Sequence, residues 1–580
     1  MQHIKDTKNV SALKEVAYND IVLTDSLAKV IDKFEIDKHL SSFNILKDKG
    51  FSIGSLLKVS VMLPFLGTNN VYALLKHGIT GLVKAKKDAF YAALNNEWID
   101  WRKVHYMVAK RFKYLVSKDV ASGGKRVTAI IFDDTLLEKT GKGTEKISVM
   151  HDHVTNRFVL GFKLLLCGFW DGVSFIPLDF TLHREKGSRQ EEITNQYQRA
   201  TKALGTTKEL LNKAHQQLGK YQKKHSVAEL KMSIKPNILN NILLKQTIGM
   251  LQNAKAEIQT IEIQLVNNTM AQADAKLKLK RMYTHGRLFG LTKSERKAQY
   301  KKSISAKSCG YARRKEADRS KGEQLLVMLK RAVKNNFIPQ YVLTDSWFFC
   351  ESMLIGIKSI RNGCIDLISM VKINNQVFEY GKDRKEIGVK QLLNNCITGK
   401  SSYCKKFHAS YYKRNCNYKG TALNLFFVKM GRSSNWHLLA TTDLNLNFVD
   451  LMETYQIRWS VEICFHDCKS YLNLGKCKAS NFDAQIADAT INMIRYVMLS
   501  YCNRINYQTT FGGLFTELSA ERMRNNLLYK LLDIFWILVK ECSFSAGFDM
   551  IIIQRDIMQN PEMANRIEKL MTGTVFNNAA

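Results

Sequence analysis

The feature that most constrains this chain is a short β-branched run that stops on two acids. Arg126–Phe132 (RVTAIIF) carries no charge after its first residue and ends at Asp133-Asp134-Thr135. That length and composition predict a buried strand. Arg157–Gly168 and Val173–Leu182 follow, parted by the turn Trp170-Asp171-Gly172, and the three runs predict an antiparallel meander. A fourth strand, Gln340–Thr344 (QYVLT), ends in the same manner at Asp345; a helix over Trp347–Ile360 and a strand over Cys364–Val371 come next. A carboxylate at the tip of a hydrophobic strand is costly unless it faces a cleft or a cation. Asp134 and Asp345 are therefore candidate site residues, with Asp133 a rival for the first position.

Around these strands the chain reads as helix. Residues 1 to about 120 show no strand-like alternation. Their apolar stretch Ser55–Phe65, the pair Trp98–Trp101 and the cations Lys84, Lys86, Lys87, Arg102, Lys103, Lys110, Arg111 and Lys113 fit either a solvated bundle or a DNA-end-binding domain. Between 185 and about 335, Leu244, Leu251, Ile258 and Leu265 recur every seven residues with Ala254 and Ile261 between them, the signature of a coiled coil. Lys235-Pro236 parts this from an earlier helix, so an antiparallel hairpin is expected. Such an arm could dimerise or clamp DNA. Residues 373–445 return to strands, Ala422–Met430 and Trp436–Thr441 being the clearest, and from Phe448 the chain is helical almost to its end.

Charge narrows the partners. The 580 residues carry a formal net charge of +35. That is a footprint for a polyanion, nucleic acid first and an anionic membrane surface second. No span of about 18 uninterrupted apolar residues exists; Leu527–Val539 is broken by Lys530 and Asp533, and the N-terminus lacks the apolar core of an export signal. A soluble, intracellular protein with reduced thiols is the expectation. The densest cationic stretch, Lys276–Lys334, has 19 Lys and Arg against four acids, interleaved with Tyr283, Tyr300 and Tyr311. It marks phosphate-backbone contact, with Arg313, Arg314 and Lys315 as the candidate DNA-binding residues. His151-Asp152-His153 is a strand cap near the site or, as a second reading, an extra metal cluster.

The acid that completes the site comes from spacing. Tyr455, Arg458, Glu462 and Lys469 stand at offsets that fall within an arc of about 60° on a helix and span about 21 Å along it. An acid between cations on a helix is ordinarily a surface ion-pair ladder. Alongside two strand-end acids in a basic chain, it forms instead a set of hard oxygen donors suited to Mg²⁺. Three antiparallel strands, helical matter, a strand, a helix, a strand and a Glu-bearing helix is the element order of an RNase H-like core, in which the first and fourth strands lie side by side.

The run Tyr455-Gln-Ile-Arg458-Trp-Ser-Val-Glu462-Ile-Cys-Phe-His-Asp-Cys-Lys469 resembles the Tyr-(2)-Arg-(3)-Glu-(6)-Lys motif of the IS-four family of DDE transposases, with every spacing matched. Phe132-Asp133-Asp134-Thr135 and Leu343-Thr344-Asp345-Ser346 resemble that family's two Asp motifs, and Thr135 favours Asp134 over Asp133. The resemblance spans roughly residues 120 to 505. It implies catalysis by Asp134, Asp345 and Glu462 through two Mg²⁺ ions (Mn²⁺ substituting), and a grip on transposon-end phosphates by Tyr455, Arg458 and Lys469. It also implies cut-and-paste transposition between terminal inverted repeats and target DNA, a homodimer in the synaptic complex, and a cytoplasmic, nucleoid-associated bacterial protein. Relatives place an aromatic at the position of Trp436 to stack a flipped base; the other reading is an ordinary core or edge Trp. The separation of 211 positions from Asp134 to Asp345 is long for such a core.

The expected fold is thus α/β, an RNase H-like catalytic core with a β-rich insertion, a coiled-coil insertion and helical ends. Its expected parts are a helical DNA-binding domain (1–120), core segments at 121–184, 336–372 and 446–505, a helical basic insertion (185–335), a β-rich insertion (373–445) and a helical C-terminal region (506–580). Two other functions share the acids: an RNase H-like metal-dependent nuclease without strand transfer, and an inactive transposase-derived DNA-binding regulator.

Overall fold

The computed structural model describes residues 26–42, 51–76, 85–117, 126–152, 155–185, 188–283, 297–374, 376–381, 383–505, 510–547, 560 and 562. Lys84, His153 and the cations between 284 and 296 lie outside these residues. Six helices open the described chain: α1 (Ser26–Lys33), α2 (Ile36–Ser42), α3 (Ile53–Met62), α4 (Val71–Lys76), α5 (Lys87–Leu94) and α6 (Trp101–Ser117). Four strands follow: β1 (Ala129–Glu138), β2 (Ser148–Asp152), β3 (Arg157–Trp170) and β4 (Phe175–His183). Then come the long helices α7 (Ser188–Ile234) and α8 (Ile238–Tyr283), the shorter α9 (Cys309–Glu316) and α10 (Lys321–Lys334), β5 (Tyr341–Thr344), α11 (Glu351–Lys358) and β6 (Asp366–Val371). The second strand-rich part holds β7 (Val377–Tyr380), β8 (Lys385–Gly388), α12 (Val389–Ile397), β9 (Ser402–Cys404), β10 (Ala409–Tyr418), β11 (Thr421–Met430) and β12 (His437–Thr441). Helices α13 (Phe448–Gln456), α14 (Trp459–Ser470), α15 (Phe482–Ile505) and α16 (Phe511–Ala546) close the chain. No helix of the described residues is long and apolar enough to cross a membrane.

All twelve strands among the described residues join one mixed sheet. β3 pairs antiparallel with β1 on one side and with β4 and the short β2 on the other. β1 then runs parallel to β5, with Ile131 opposite Leu343, and β5 parallel to β6. The first and fourth expected strands do lie side by side. From β6 the sheet continues antiparallel through β12, β11, β10, β7 and β8, so the later strand-rich segment extends the same sheet instead of standing apart. One position differs from the sequence expectation: Asp134 does not end a strand. β1 stays paired to β3 as far as Glu138, whereas β5 accompanies it only to Ile131. The two acids therefore sit where β1 loses its parallel neighbour while its antiparallel one continues.

The N-terminal helices share the sheet's core. α6 packs on β4 and α15, and Val104, Val108, Ala109 and Phe112 along it are fully buried. Several of its cations are spent internally: Arg102 pairs with Asp179 and Glu316, Arg111 with Glu35, and Lys113 donates to the Asn336 carbonyl. Burial lowers the pKa of His105 on α6 to about 4. The unfolded chain binds that proton near 6.5 and the fold refuses it until about 4. Stability should therefore fall by about 3 kcal/mol as pH drops through that window, by linkage. Chemical denaturation of His105→Gln between pH 6.5 and 4 should show a flatter slope than the parent.

α7 and α8 form the expected antiparallel hairpin, parted at Lys235-Pro236. The less exposed positions alternate by four and three along both helices: Leu204, Thr207, Leu211 and Ala214 on α7, and Leu251, Ala254, Ile258 and Ile261 on α8. That is the heptad seam of a coiled coil.

Candidate active site

Asp345 follows the last residue of β5, and the turn beyond it is closed by the Trp347 backbone N–H donating to the Asp345 carboxylate at 3.0 Å. Asp133 and Asp134 lie on β1 at the same end of the parallel pair. All three line a cavity of about 1110 Å³, together with Thr135, Lys163, Lys321, Trp347 and Lys469. Strand alternation turns the neighbouring acids to different partners. Asp133 Oδ2 accepts from Arg458 Nη1 at 2.9 Å. Asp134 pairs with Lys321 at the start of α10 and stands 3.6 Å from Lys163 of β3.

The Glu-bearing segment is two helices rather than the single one that its spacing predicts. Ile457, Arg458 and Ser460 each donate their backbone N–H to the residue three before, so the chain winds through a tighter turn between α13 and α14. Tyr455 lies in the last turn of the first helix, Arg458 sits at the junction, and Glu462 and Lys469 ride the second. The four still reach one place. Arg458 Nη2 donates to Glu462 Oε1 at 2.7 Å while Nη1 holds Asp133. The Tyr455 hydroxyl donates to the Thr344 carbonyl, one residue before Asp345, at 3.3 Å. Lys469 Nζ donates to Thr135 Oγ1 at 2.7 Å.

The electrostatics of the site are those of acids crowded out of water. Burial, above all, raises Asp133 to about 7 against the pull of Arg458, with Asp345 and Asp134 adding repulsion. Burial likewise raises Asp345, with Asp134 the main repelling neighbour. Burial takes the Tyr455 phenol up to about 12 and lowers Lys469. Among the described residues, no group of three His, Cys, Asp or Glu side chains stands close enough to share one ion. Arg458, Lys321 and Lys163 take up the carboxylate oxygens instead.

Two candidates for DNA contact are buried elsewhere, which corrects their reading from the basic run. Arg313 and Arg314 are 7% and 6% exposed. Arg313 donates to the Phe180 carbonyl at 2.6 Å and lies by Glu316 and Asp179. Arg314 grips Glu145 with two nitrogens at 2.6 and 2.7 Å and Asp483 at 2.6 Å. Charges this deep must be paired within the fold, and these staple α9 to the sheet and to α15. Lys315, on the outer side of the same helix, is exposed, its ammonium 4.7 Å from the Tyr311 ring. Trp436 is not brought to the cavity either. Its half-buried ring lies 5.4 Å from that of Tyr412 on β10. Of the other candidate metal cluster, His151 and Asp152 line the cavity at the end of β2 but are tied locally, to Asn156 and Thr155.

Three cavity residues escaped the sequence reading. Lys163 had a signal: it is the lone charge inside the apolar strand β3. Lys321 was one cation among nineteen. Trp347, 65% exposed with Lys372 Nζ 3.4 Å from its ring centre, was legible only as the start of a helix.

No curated protein matches the chain. Residues 263–498, which hold Asp345, Tyr455, Arg458, Glu462 and Lys469 but not β1 and its acids, match the family model of the transposase DDE domain.

Proposed function

We propose that the chain is a cut-and-paste transposase of the IS-four type, cleaving at the ends of its own element and joining those ends to target DNA. The observation that carries this reading is the meeting of the two Asp-bearing strands and Lys469 around one cavity, with Arg458 bonded to both Asp133 and Glu462 and Tyr455 bonded to the Thr344 carbonyl beside Asp345; all but β1 and its acids fall in the segment similar to the transposase DDE domain. The strand order β4–β3–β1–β5–β6, with β1, β5 and β6 parallel, is the arrangement an RNase H-like core requires.

The acids are donors of the kind a divalent metal takes, but in the free protein Arg458, Lys321 and Lys163 occupy Asp133, Asp134 and Glu462, and among the described residues no three acids stand within reach of one ion. Hard carboxylate oxygens that repel one another, as the raised Asp133 and Asp345 do, are stabilised by a small dication. Asp134, Asp345 and Glu462 would hold Mg²⁺ or Mn²⁺, with Asp133 kept by Arg458; the ions would sharpen an attacking oxygen and stabilise the leaving one. The protein's own residues do the rest. Tyr455, Lys469 and the exposed Lys315 would bind phosphates, and Arg458, Lys321 and Lys163, which neutralise the acids in the free protein, are cations of the right kind to receive phosphate oxygens when DNA enters.

The test uses duplexes carrying the sequences that flank the coding region, with Mg²⁺. Cleavage at the element boundary and joining of the 3′ ends to a second duplex are the expected result, and EDTA should remove both. Cleavage without joining would leave a nuclease, and binding without any metal-dependent cleavage would leave a regulator; either outcome rejects the proposal.

A further inference from the structure

Helix α8 carries two apolar heptad stripes, and the hairpin uses only one. The seam toward α7 runs through Leu244, Leu251, Ile258 and Leu265. On the opposite face, Ile242, Gly249, Ala256, Ile263, Met270 and Leu277 recur at the same seven-residue interval. Of these, Ile242, Ile263, Met270 and Leu277 are 47% to 65% exposed. Surface helices keep a polar outer face, and the sister helix does at five of six equivalent positions: Asn195, Lys202, Glu209, Gln216 and Lys223, the sixth being Leu230. A seven-residue period suits packing against another helix, because it keeps one stripe facing its partner along the supercoil.

From the geometry we infer that this outer stripe is a homodimer interface, in which α8 packs antiparallel against α8 of a second copy. The stripe is complementary to itself. Reversed about a two-fold axis between Gln259 and Thr260, it sets Gly249 against Met270, Ala256 against Ile263, and Ile242 against Leu277, small facing large at the two central pairs. The same register sets Lys245 near Asp274 of the partner subunit, an Asp that within its own chain already pairs with Lys278. Charge selects this occupant. The chain carries +35, yet between Gln246 and Ala273 the charges on α8, Lys255, Glu257 and Glu262, all stand beside the inner seam and none on the outer face. DNA or an anionic bilayer would need cations there; a like-charged second copy needs their absence. The apolar stripe, flanked on the same face by Gln246, Asn253, Thr260 and Asn267, is about 53 Å long from Ile242 to Leu277 at the helical rise. The inference does not rest on the reading of the acidic site.

The experiment is sedimentation of the full chain without DNA, with oxidative cross-linking as a second readout. The parent should be dimeric at micromolar concentration. Ile263→Glu with Met270→Glu should weaken self-association on the order of 100-fold or more, since each carboxylate would be buried without a partner. Both positions are exposed in the single chain, so helix content by circular dichroism should be unchanged. Thr260→Cys, beside the axis, should form a cross-linked dimer absent from the parent, and Gln216→Cys on the outer face of α7 should not. A monomeric parent, a dimer indifferent to the double substitution, or cross-linking through Gln216→Cys instead of Thr260→Cys overturns the inference, as does monomer whose binding to plain duplex DNA or anionic vesicles depends on Ile263.

Discussion

Glu462→Gln should lower the rate of end cleavage by on the order of 10³-fold and leave DNA affinity within a few-fold of the parent. The amide keeps the shape of the side chain and its hydrogen bond from Arg458 Nη2. It removes a negative charge that, on the proposed reading, would help hold a dication, and several kcal/mol of charge stabilisation corresponds to about that factor in rate. The affinity should survive because, on the proposed reading, phosphate contact falls to cations and the phenol and not to the acid. Gel shift and gel-resolved cleavage on one duplex separate the two quantities. Retained cleavage with lost binding would remove Glu462 from the chemistry. The same pair of measurements on Asp133→Asn and Asp134→Asn decides which neighbour on β1 acts with Asp345: the one whose loss abolishes cleavage.

Arg314→Gln should destabilise the fold by about 3–5 kcal/mol, the usual cost of removing one partner from a buried ion pair. Its guanidinium is the only cation that bonds both Glu145 and Asp483 among the described hydrogen bonds, and its loss leaves the buried Glu145 carboxylate without that cation and Asp483 with Lys302 at 3.4 Å. Urea unfolding measures this directly. Lys315→Ala, one residue on, should leave stability within about 0.5 kcal/mol, as exposed substitutions do, and reduce the salt dependence of DNA binding by about one phosphate contact. A stable Arg314→Gln with weakened DNA binding would restore the reading of this residue as a DNA contact.

The neighbouring network shows why composition misled at this point. Asp179 is fully buried; burial works to raise its carboxyl, but Arg102, Arg331 and Arg313 together hold it at about 2. Arg102 comes from α6, Arg313 from α9 and Arg331 from α10. Read along the sequence, these are members of two basic stretches and look like a surface for DNA. In space they converge on one acid of β4 from three helices. Periodicity and charge density report the character of a segment, and neither reports which cation meets which anion across more than a hundred positions of chain.

Local signals carried far where their cause is local. Strand runs bounded by turn residues, the heptads of α7 and α8, the break at Lys235-Pro236 and the Tyr-Arg-Glu-Lys spacing are each written in a few consecutive residues, because backbone hydrogen bonding and side-chain period act over one or two turns. What only the tertiary structure decided is long-range. It carries the sheet from β6 on into the second strand-rich segment, and packs the N-terminal helices on β4 instead of apart. It tightens the backbone at Arg458 so that one guanidinium joins Asp133 to Glu462. It also leaves Trp436 on Tyr412 and puts Trp347 in the cavity. The physical reason is the same in each case. A charge or ring is placed by the desolvation it must offset and the partner that offsets it, and that partner is chosen by the folded chain as a whole.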